Sequence, residues 1–132
     1  MTAKELRIGN WVKCKTTDGK KFGKICDILD LGYFAARCNG VEYRGKFGGI
    51  GVDIENVEPI ELTNELLDKC GFDEPYDELY EHENGKFEIT KERDKWWVTW
   101  NGGADFWFAI KYLHQLQNAY YMVTGEELNI EL

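Results

Sequence analysis

Apolar and polar positions near the C-terminus follow the period of an amphipathic helix. From Ala109 to Val123, apolar residues recur at steps of three and four along the chain, which places them on one stripe of a helix. The pattern predicts a helix over about residues 111–124, ended by Gly125 in a left-handed C-terminal cap. His114 and its polar neighbours lie off the stripe, so we expect them to face solvent. The stripe itself needs a flat apolar surface to cover it.

Two aromatic segments just before this helix alternate with the two-residue period of strands. They predict strands over about 96–101 and 105–110, joined by a turn centred on Gly103. In that register, one face of the hairpin carries six large apolar residues and is the natural surface for the helix. These residues are Trp96, Val98, Trp100, Phe106, Phe108 and Ile110. The residues of the opposite face are Trp97, Thr99 and Trp107.

The first half of the chain contains several short alternating segments separated by turn signals. Residues 8–15 and 21–30 predict a first pair of strands around the turn Thr17–Gly19,. In the second of these strands, the pattern places Phe22 on the buried face, although Lys24 falls on the same side. Two further strands follow around a turn of the Asn-Gly type. Short strands at such close spacing predict a small SH3-like β-barrel or a strongly bent sheet.

Pro59 separates this β unit from a second unit that mixes helices and strands. The pattern after it predicts a short helix over 64–70 and a strand over about 86–91,. The predicted fold class is therefore α+β. A β unit over 1–58 precedes an α+β unit over 59–132, in which an antiparallel sheet packs against the C-terminal helix. At 132 residues, the two units either fold separately or share one core,.

The chain lacks the residue patterns of the common catalytic and metal sites. It contains no serine, and its four cysteines include no Cys-x-x-Cys pair of the kind that binds zinc,. The glycine-rich segment 45–51 lacks the Lys-Ser/Thr of a phosphate loop, so we expect a connecting loop or a glycine-bent strand. The acidic run 73–83 lacks the ligand order of a calcium loop, so we expect a solvated edge or a short turn. The sequence predicts a non-enzymatic protein without metal or cofactor.

Charge is distributed unevenly along the chain, whose net charge is −8. Residues 1–51 contain ten Lys/Arg and five Asp/Glu, a net +5, whereas residues 52–132 contain six and nineteen, a net −13. Two surfaces with different partners and ordinary solvated charge both fit this asymmetry. A basic surface in the first half would suit nucleic acid. Its candidate residues are Lys13, Lys15, Lys20, Lys21, Arg37, Arg44 and Lys46.

The outward aromatic residues of the predicted hairpin are a second candidate site. Exposed aromatic patches often mark surfaces that contact other proteins. We therefore treat Trp97, Trp107 and the intervening Thr99 as a candidate interaction patch. The alternative is that another part of the chain, or a symmetry-related copy, covers this face. Stacking of unpaired nucleic-acid bases is disfavoured here, because such platforms need a basic groove and this half of the chain is acidic.

Three blocks of sequence, in a fixed order, carry a family resemblance. They are the opening Ala3–Val12, the segment Val57–Thr63 followed by Leu67–Phe72, and the pair Leu-His-Gln-Leu-Gln-Asn at 113–118 with Thr-Gly-Glu-Glu-Leu at 124–128. Together they resemble small uncharacterised proteins encoded in prophages and mobile elements of gut anaerobes. That family has no assigned activity, so the resemblance implies a biological context and no catalytic residue.

These patterns lead to a prediction of function. We expect a cytoplasmic accessory protein that acts through protein–protein contact with an unidentified partner. Nucleic-acid binding by the basic half, and mimicry of nucleic acid by the acidic half, are the alternatives. The N-terminal residues lack the apolar core of a signal peptide,. No run approaches the roughly 20 apolar residues of a membrane helix, so no membrane association is expected.

Overall fold

The computed structural model describes residues 5–16, 19–30, 33–38, 41–44, 52–53, 57–76, 79–82, 87–100, 106–130 and 132. Strands and helices follow one another in the order β1 Trp11–Thr16, β2 Gly19–Asp30, β3 Tyr33–Cys38, β4 Val41–Arg44, β5 Val52–Asp53, β6 Val57–Glu58, α1 Asn64–Lys69, β7 Phe72–Tyr76, β8 Leu79–His82, β9 Phe87–Glu92, β10 Lys95–Trp100, β11 Phe106–Ile110 and α2 Leu113–Thr124. The predicted α+β class is confirmed, and so are the short helix and the C-terminal helix. The predicted glycine-rich segment 45–51 and the turn at 39–40 lie outside the described residues.

Two compact units are present, and α2 belongs to both of them. Unit 1 comprises residues 1–60 with residues 113–118, and unit 2 comprises residues 61–112 with residues 119–132. The division predicted from sequence, at 58/59, gave the whole helix to the second unit. The first half of the helix instead clusters with the N-terminal strands.

Unit 1 is built on an open antiparallel sheet with the strand order β4-β3-β2-β1-β6. The two-residue strand β5 pairs with β3 beside β4. In the part of the chain that the structure describes, the outer strands do not pair with each other, so the SH3-like barrel is wrong. Turn signals in a sequence indicate how many strands follow one another. Closure of a barrel also needs a hydrogen-bonded ladder between the two edge strands of the sheet, and local sequence patterns do not encode that pairing.

In β2, the residues that face the core are the ones that the sequence pattern placed on the outer face, and the predicted inner residues face outward. Phe22 is 45% exposed, whereas Gly23 and Ile25 are buried. An ideal Cβ on Gly23 would lie 2.7 Å from Cys38 Sγ and 2.9 Å from Cys14 Sγ. The two sulfurs therefore fill the space where a side chain of β2 would point, and Phe22 lies on the other face. The core cluster consists of Leu6, Val12, Cys14, Ile25, Ala36, Cys38 and Val57.

The first half of α2 is tied to the N-terminal segment of unit 1 by amide side chains. Gln117 accepts a hydrogen bond from the Trp11 backbone N–H at 2.8 Å and donates one to the Gly9 carbonyl at 2.9 Å. Asn118 donates to the Glu5 carbonyl at 2.8 Å. These bonds satisfy backbone groups of the segment that leads into β1, and buried backbone groups need such partners.

The same half of the helix also buries a histidine that was expected to face solvent. His114 has no exposed surface, and its Nε2 lies 3.8 Å from Glu5 Oε1. Burial lowers the pKa of His114, while the charge of Glu5 acts in the opposite direction. The solvent-facing prediction is wrong because unit 1 covers a flank of the helix that the apolar stripe does not include.

Unit 2 contains α1 and a five-stranded antiparallel sheet with the order β11-β10-β9-β8-β7. The Thr63 hydroxyl caps α1 by accepting a hydrogen bond from the Leu66 N–H at 3.2 Å, as expected of an N-cap threonine. The acidic run forms β7 and β8 rather than a turn, and Asp73 and Glu74 are exposed on the outermost strand. The predicted edge is therefore present.

The aromatic hairpin has the register that its sequence predicts. Trp100 pairs with Phe106, Val98 with Phe108 and Trp96 with Ile110. On the buried face, the second half of α2 contacts the neighbouring strands. The Tyr120 ring lies 5.3 Å from the Phe87 ring and 4.9 Å from the His82 ring, centroid to centroid. The helix thus meets this sheet partly on β8 and β9, beside the hairpin that was expected to receive it.

Candidate nucleic-acid interface

The ladders between β1, β2 and β3 bring basic residues together on one face of the first sheet. Lys13 is paired with Phe22, Lys15 with Lys20, and Lys24 with Arg37. Directly paired residues of antiparallel strands point to the same face, and alternate residues along one strand share that face. We call this surface the basic face. It consists of Lys13, Lys15, Lys20, Phe22, Lys24 and Arg37. The same ladders pair Trp11 with Lys24 and Glu42 with Arg37. Trp11 is buried, so the face is covered where Trp11 lies.

The side chains of the basic face are accessible. Lys15, Lys20, Lys24 and Arg37 are exposed, and Lys13 is partly exposed. Phe22 leaves 45% of its surface open to solvent although it lies among cations. Single exposed apolar residues are common on protein surfaces, so the Phe22 ring is a candidate because of its cationic neighbours and not because of its exposure alone.

A shallow depression lies next to Phe22. Its walls are formed by Lys13, Lys20, Lys21 and Phe22. Such a depression is too open to enclose a small molecule, because ligand pockets bury most of their ligand.

Local sequence explains why this face is basic. In β1, Lys13 and Lys15 alternate with the buried Val12 and Cys14 and therefore lie on the outer face, which begins at the buried Trp11. In β2, Gly23 makes room for the two core sulfurs. Its neighbours Phe22 and Lys24 are thereby placed outward.

The predicted basic residues divide into three groups. Lys13, Lys15, Lys20 and Arg37 lie together on the basic face. Lys21 pairs with the buried Cys14, which places it on the opposite alternation of β2. Arg44 belongs to β4 and pairs with Ala35; its side chain, like the whole of Lys46, lies outside the described residues. Four of the seven predicted residues are therefore brought together.

Sequence reasoning did not assign Phe22 and Lys24 to this surface. Both were placed on the buried side of β2, where a lysine is out of place. The conflict between the two residues was the available signal. If the alternation of β2 is reversed, Lys24 and Phe22 face outward and Gly23 faces the core, so the conflict disappears.

One carboxylate lies at the edge of the basic face. Glu58 is paired with Lys13 across the β1–β6 ladder. One carboxylate oxygen lies 3.2 Å from Lys15 Nζ and the other lies 3.1 Å from Lys20 Nζ. Hydrogen bonds from Lys20 and then Lys15 lower the pKa of Glu58. A single anionic group is thus held between two opposed lysines.

The aromatic patch predicted in the second unit is less open. Thr99 is paired with Trp107 and with Glu88, and only 6% of its surface is exposed. Trp97 is partly exposed, and the side chain of Trp107 is outside the described residues. Burial raises the pKa of Glu88, and the neighbouring Glu81 raises it further. The patch remains a prediction, and the surface beside it is acidic.

The cysteines occupy buried or partly buried positions as free thiols. Burial raises the pKa of Cys14 and of Cys70 to about 12, which disfavours the thiolate that reactive and metal-binding cysteines need. Among the residues that the structure describes, no group of three or more His, Cys, Asp or Glu side chains is placed to hold a metal ion. No helix in the described ranges is both long and apolar enough to cross a membrane.

Comparison with known proteins found no matching family model, no matching curated protein and no matching solved structure. The function is therefore argued from the geometry of the basic face.

Proposed function

We propose that this protein binds single-stranded nucleic acid through the basic face, without catalysing a reaction. The supporting observation is the position of Phe22, an exposed aromatic ring paired with Lys13 and flanked along β2 by Lys20 and Lys24 on the same face of an open sheet. The resemblance to mobile-element proteins gives the proposed context, an accessory protein that acts on the nucleic acid of its element or host.

The chemistry of the face suits an unpaired strand better than a duplex. Proteins that bind single strands combine aromatic rings, on which bases stack, with a basic surface that follows the phosphates. A duplex hides the faces of its bases, and reading its major groove takes a helix or a protruding ribbon. The basic face offers a broad strand surface with Phe22 at its centre.

The charges of the two units support a local role for this surface. Unit 1, with residues 1–60 and 113–118, contains ten Lys/Arg and eight Asp/Glu, a net +2. Unit 2 contains six and sixteen, a net −10. At physiological salt, charges interact over roughly 8 Å. The cations around Phe22 thus act on a bound phosphate more strongly than the net charge of −8 suggests.

The test is a fluorescence-anisotropy titration with labelled oligothymidylate and oligouridylate between 50 and 200 mM salt. Phe22→Ala should weaken binding of either strand by about 5- to 150-fold, the loss of one stacked base. Lys13→Gln with Lys24→Gln should lower the slope of log affinity against log salt by about 1.4, at about 0.7 for each lost phosphate contact. The control Lys95→Gln, at an exposed lysine of β10, should change neither quantity.

Equal affinity and salt slope for wild type and all the basic-face variants would contradict the proposal. Absence of binding to both oligonucleotides would contradict it as well. A preference for oligouridylate would identify RNA as the ligand, because the two strands differ by the 2′-hydroxyl as well as the thymine methyl group. Oligodeoxyuridylate separates those two contributions.

Protein–protein contact is the second candidate function. One described feature favours it: Tyr121 and Met122 are adjacent on α2 and expose 45% and 73% of their surfaces. Exposed apolar residues of this kind occur at contact surfaces. They would become the leading candidate surface if neither oligonucleotide is bound, and the partly exposed Trp97, on the opposite face of the β10–β11 hairpin, would be a separate candidate.

A further inference from the structure

We infer that Glu58 occupies a phosphate subsite between Lys15 and Lys20 and competes with the nucleic acid for it. This inference rests on the proposed function, because the competing ligand is the phosphodiester backbone of a single strand. It assigns Glu58 a role beyond structural pairing, as the residue that limits affinity at one edge of the basic face.

The geometry around Glu58 is that of a small anion site. Its two carboxylate oxygens lie 3.2 Å from Lys15 Nζ and 3.1 Å from Lys20 Nζ. A phosphodiester also carries its negative charge on two oxygens bonded to one atom. Lysine binds phosphate as a point charge with free rotation of its donors, so the same two ammonium groups can receive a phosphate.

The two lysines need an anion between them. Lys15 and Lys20 are directly opposite each other in the β1–β2 ladder, and like charges in that position repel. Glu58 relieves the repulsion in the unbound protein. A phosphate at the same place would do so equally well, and the exchange of one anion for the other would release little free energy.

The backbone keeps Glu58 beside the site. Its neighbour Val57 is buried and pairs with Cys14, while Glu58 pairs with Lys13. The carboxylate is therefore tethered at a high effective concentration, which a free phosphate group has to overcome. Its side chain is partly exposed, so it can rotate away without disturbing the strand.

Counting ions gives a quantitative expectation. With Glu58 in place, Lys13 and Lys24 are the lysines of the face that Glu58 does not bridge, which predicts a salt slope of about −1.4 for a single strand. With Glu58 neutralised, Lys15 and Lys20 join them and the slope becomes about −2.8. Between 50 and 200 mM salt, this difference amounts to an additional loss of affinity of about sevenfold.

The experiment compares wild type with Glu58→Gln in the same anisotropy titrations with oligothymidylate. The glutamine keeps the shape of the side chain and removes its charge. We expect Glu58→Gln to bind about tenfold more tightly at 50 mM salt, with the steeper slope. The gain should disappear when Lys15→Gln and Lys20→Gln are added. Glu92→Gln, an exposed carboxylate on β9, controls for a general change in net charge.

The outcomes separate this inference from the proposed function. Equal affinity and slope for wild type and Glu58→Gln, with binding still lost in Phe22→Ala, would overturn the role of Glu58 and leave the proposed function standing. An equal gain in Glu92→Gln would also overturn it, because the effect would then be one of net charge. Absence of binding by both wild type and Glu58→Gln would overturn both. Unchanged urea midpoints ensure that folded proteins are compared.

Discussion

Gly23 shows how one small residue determines which side of a strand is buried. Its position opposite Cys14 and Cys38 leaves no space for a methyl group, and the alternation of β2 follows from that. Phe22 is outward as a consequence. The proposed binding surface thus depends on the absence of a side chain at Gly23, the residue that follows Phe22 in the sequence.

Replacing Gly23 with alanine should destabilise the protein by about 1–3 kcal/mol, the usual cost of adding a methyl group to a filled core. The new Cβ would contact Cys38 Sγ at 2.7 Å. Removing that sulfur with Cys38→Ala should recover part of the loss, so the double variant should be more stable than the sum of the single changes predicts. Urea unfolding measures all three. Strict additivity would show that the sulfur is not the obstacle.

His114 should make stability depend on pH. Because burial lowers its pKa in the folded state, the unfolded chain takes up a proton first as pH falls. Stability is then fully present above the unfolded pKa of about 6.5 and decreases below it, by up to about 1.4 kcal/mol per pH unit, until the folded pKa is reached. Urea unfolding in the His82→Gln background, with His114 as the remaining histidine, measures this slope. Adding His114→Gln should flatten it, and parallel slopes would contradict the assignment.

At the scale of elements, α2 is held in unit 1 by hydrogen bonds as well as by apolar contacts. Gln117 bonds to a backbone N–H and a backbone C=O of the segment before β1. Gln117→Met keeps the volume of the side chain and removes both bonds, leaving two buried backbone groups unpaired. We expect a loss of about 2–4 kcal/mol, measured by urea unfolding. The reverse exchange at an exposed position of the same helix, Met122→Gln, should change stability by less than about 0.5 kcal/mol.

Sequence patterns predicted some elements well, for identifiable reasons. The β10–β11 register followed from a centred turn and strict alternation of bulky residues, both local properties. The ends of α1 are local as well: Thr63 caps its first turn, and Gly71 follows it with a φ of 86°. The burial of His114 and the outward position of Phe22 were not local. Each depends on which other part of the chain packs on that helix or strand. The hydrophobic period of a helix or strand does not specify that packing partner.

The candidate site was predicted in part for the same reason. Lys13 and Lys15 share a face by alternation alone, and their strand partners follow from the turn at 17–19. Glu58 could not be anticipated, because β6 is a two-residue strand far along the chain from β1. Pairing of such distant segments has no signal in local sequence.

At the scale of the molecule, the two units differ in charge by a wide margin, and the basic face belongs to the less acidic one. The uneven distribution seen along the chain therefore has a structural counterpart. Several cations lie on one surface of the first sheet, at separations that the strand pairing determines. Most carboxylates lie in the other unit.

The division of α2 between the units has a consequence for the order in which the protein is made. The N-terminal strands of unit 1 are synthesised well before residues 113–118, which complete the unit. The peptide groups near Trp11 therefore gain these partners only after Gln117 has been synthesised. A nascent chain stalled before that point would carry an unfinished N-terminal unit.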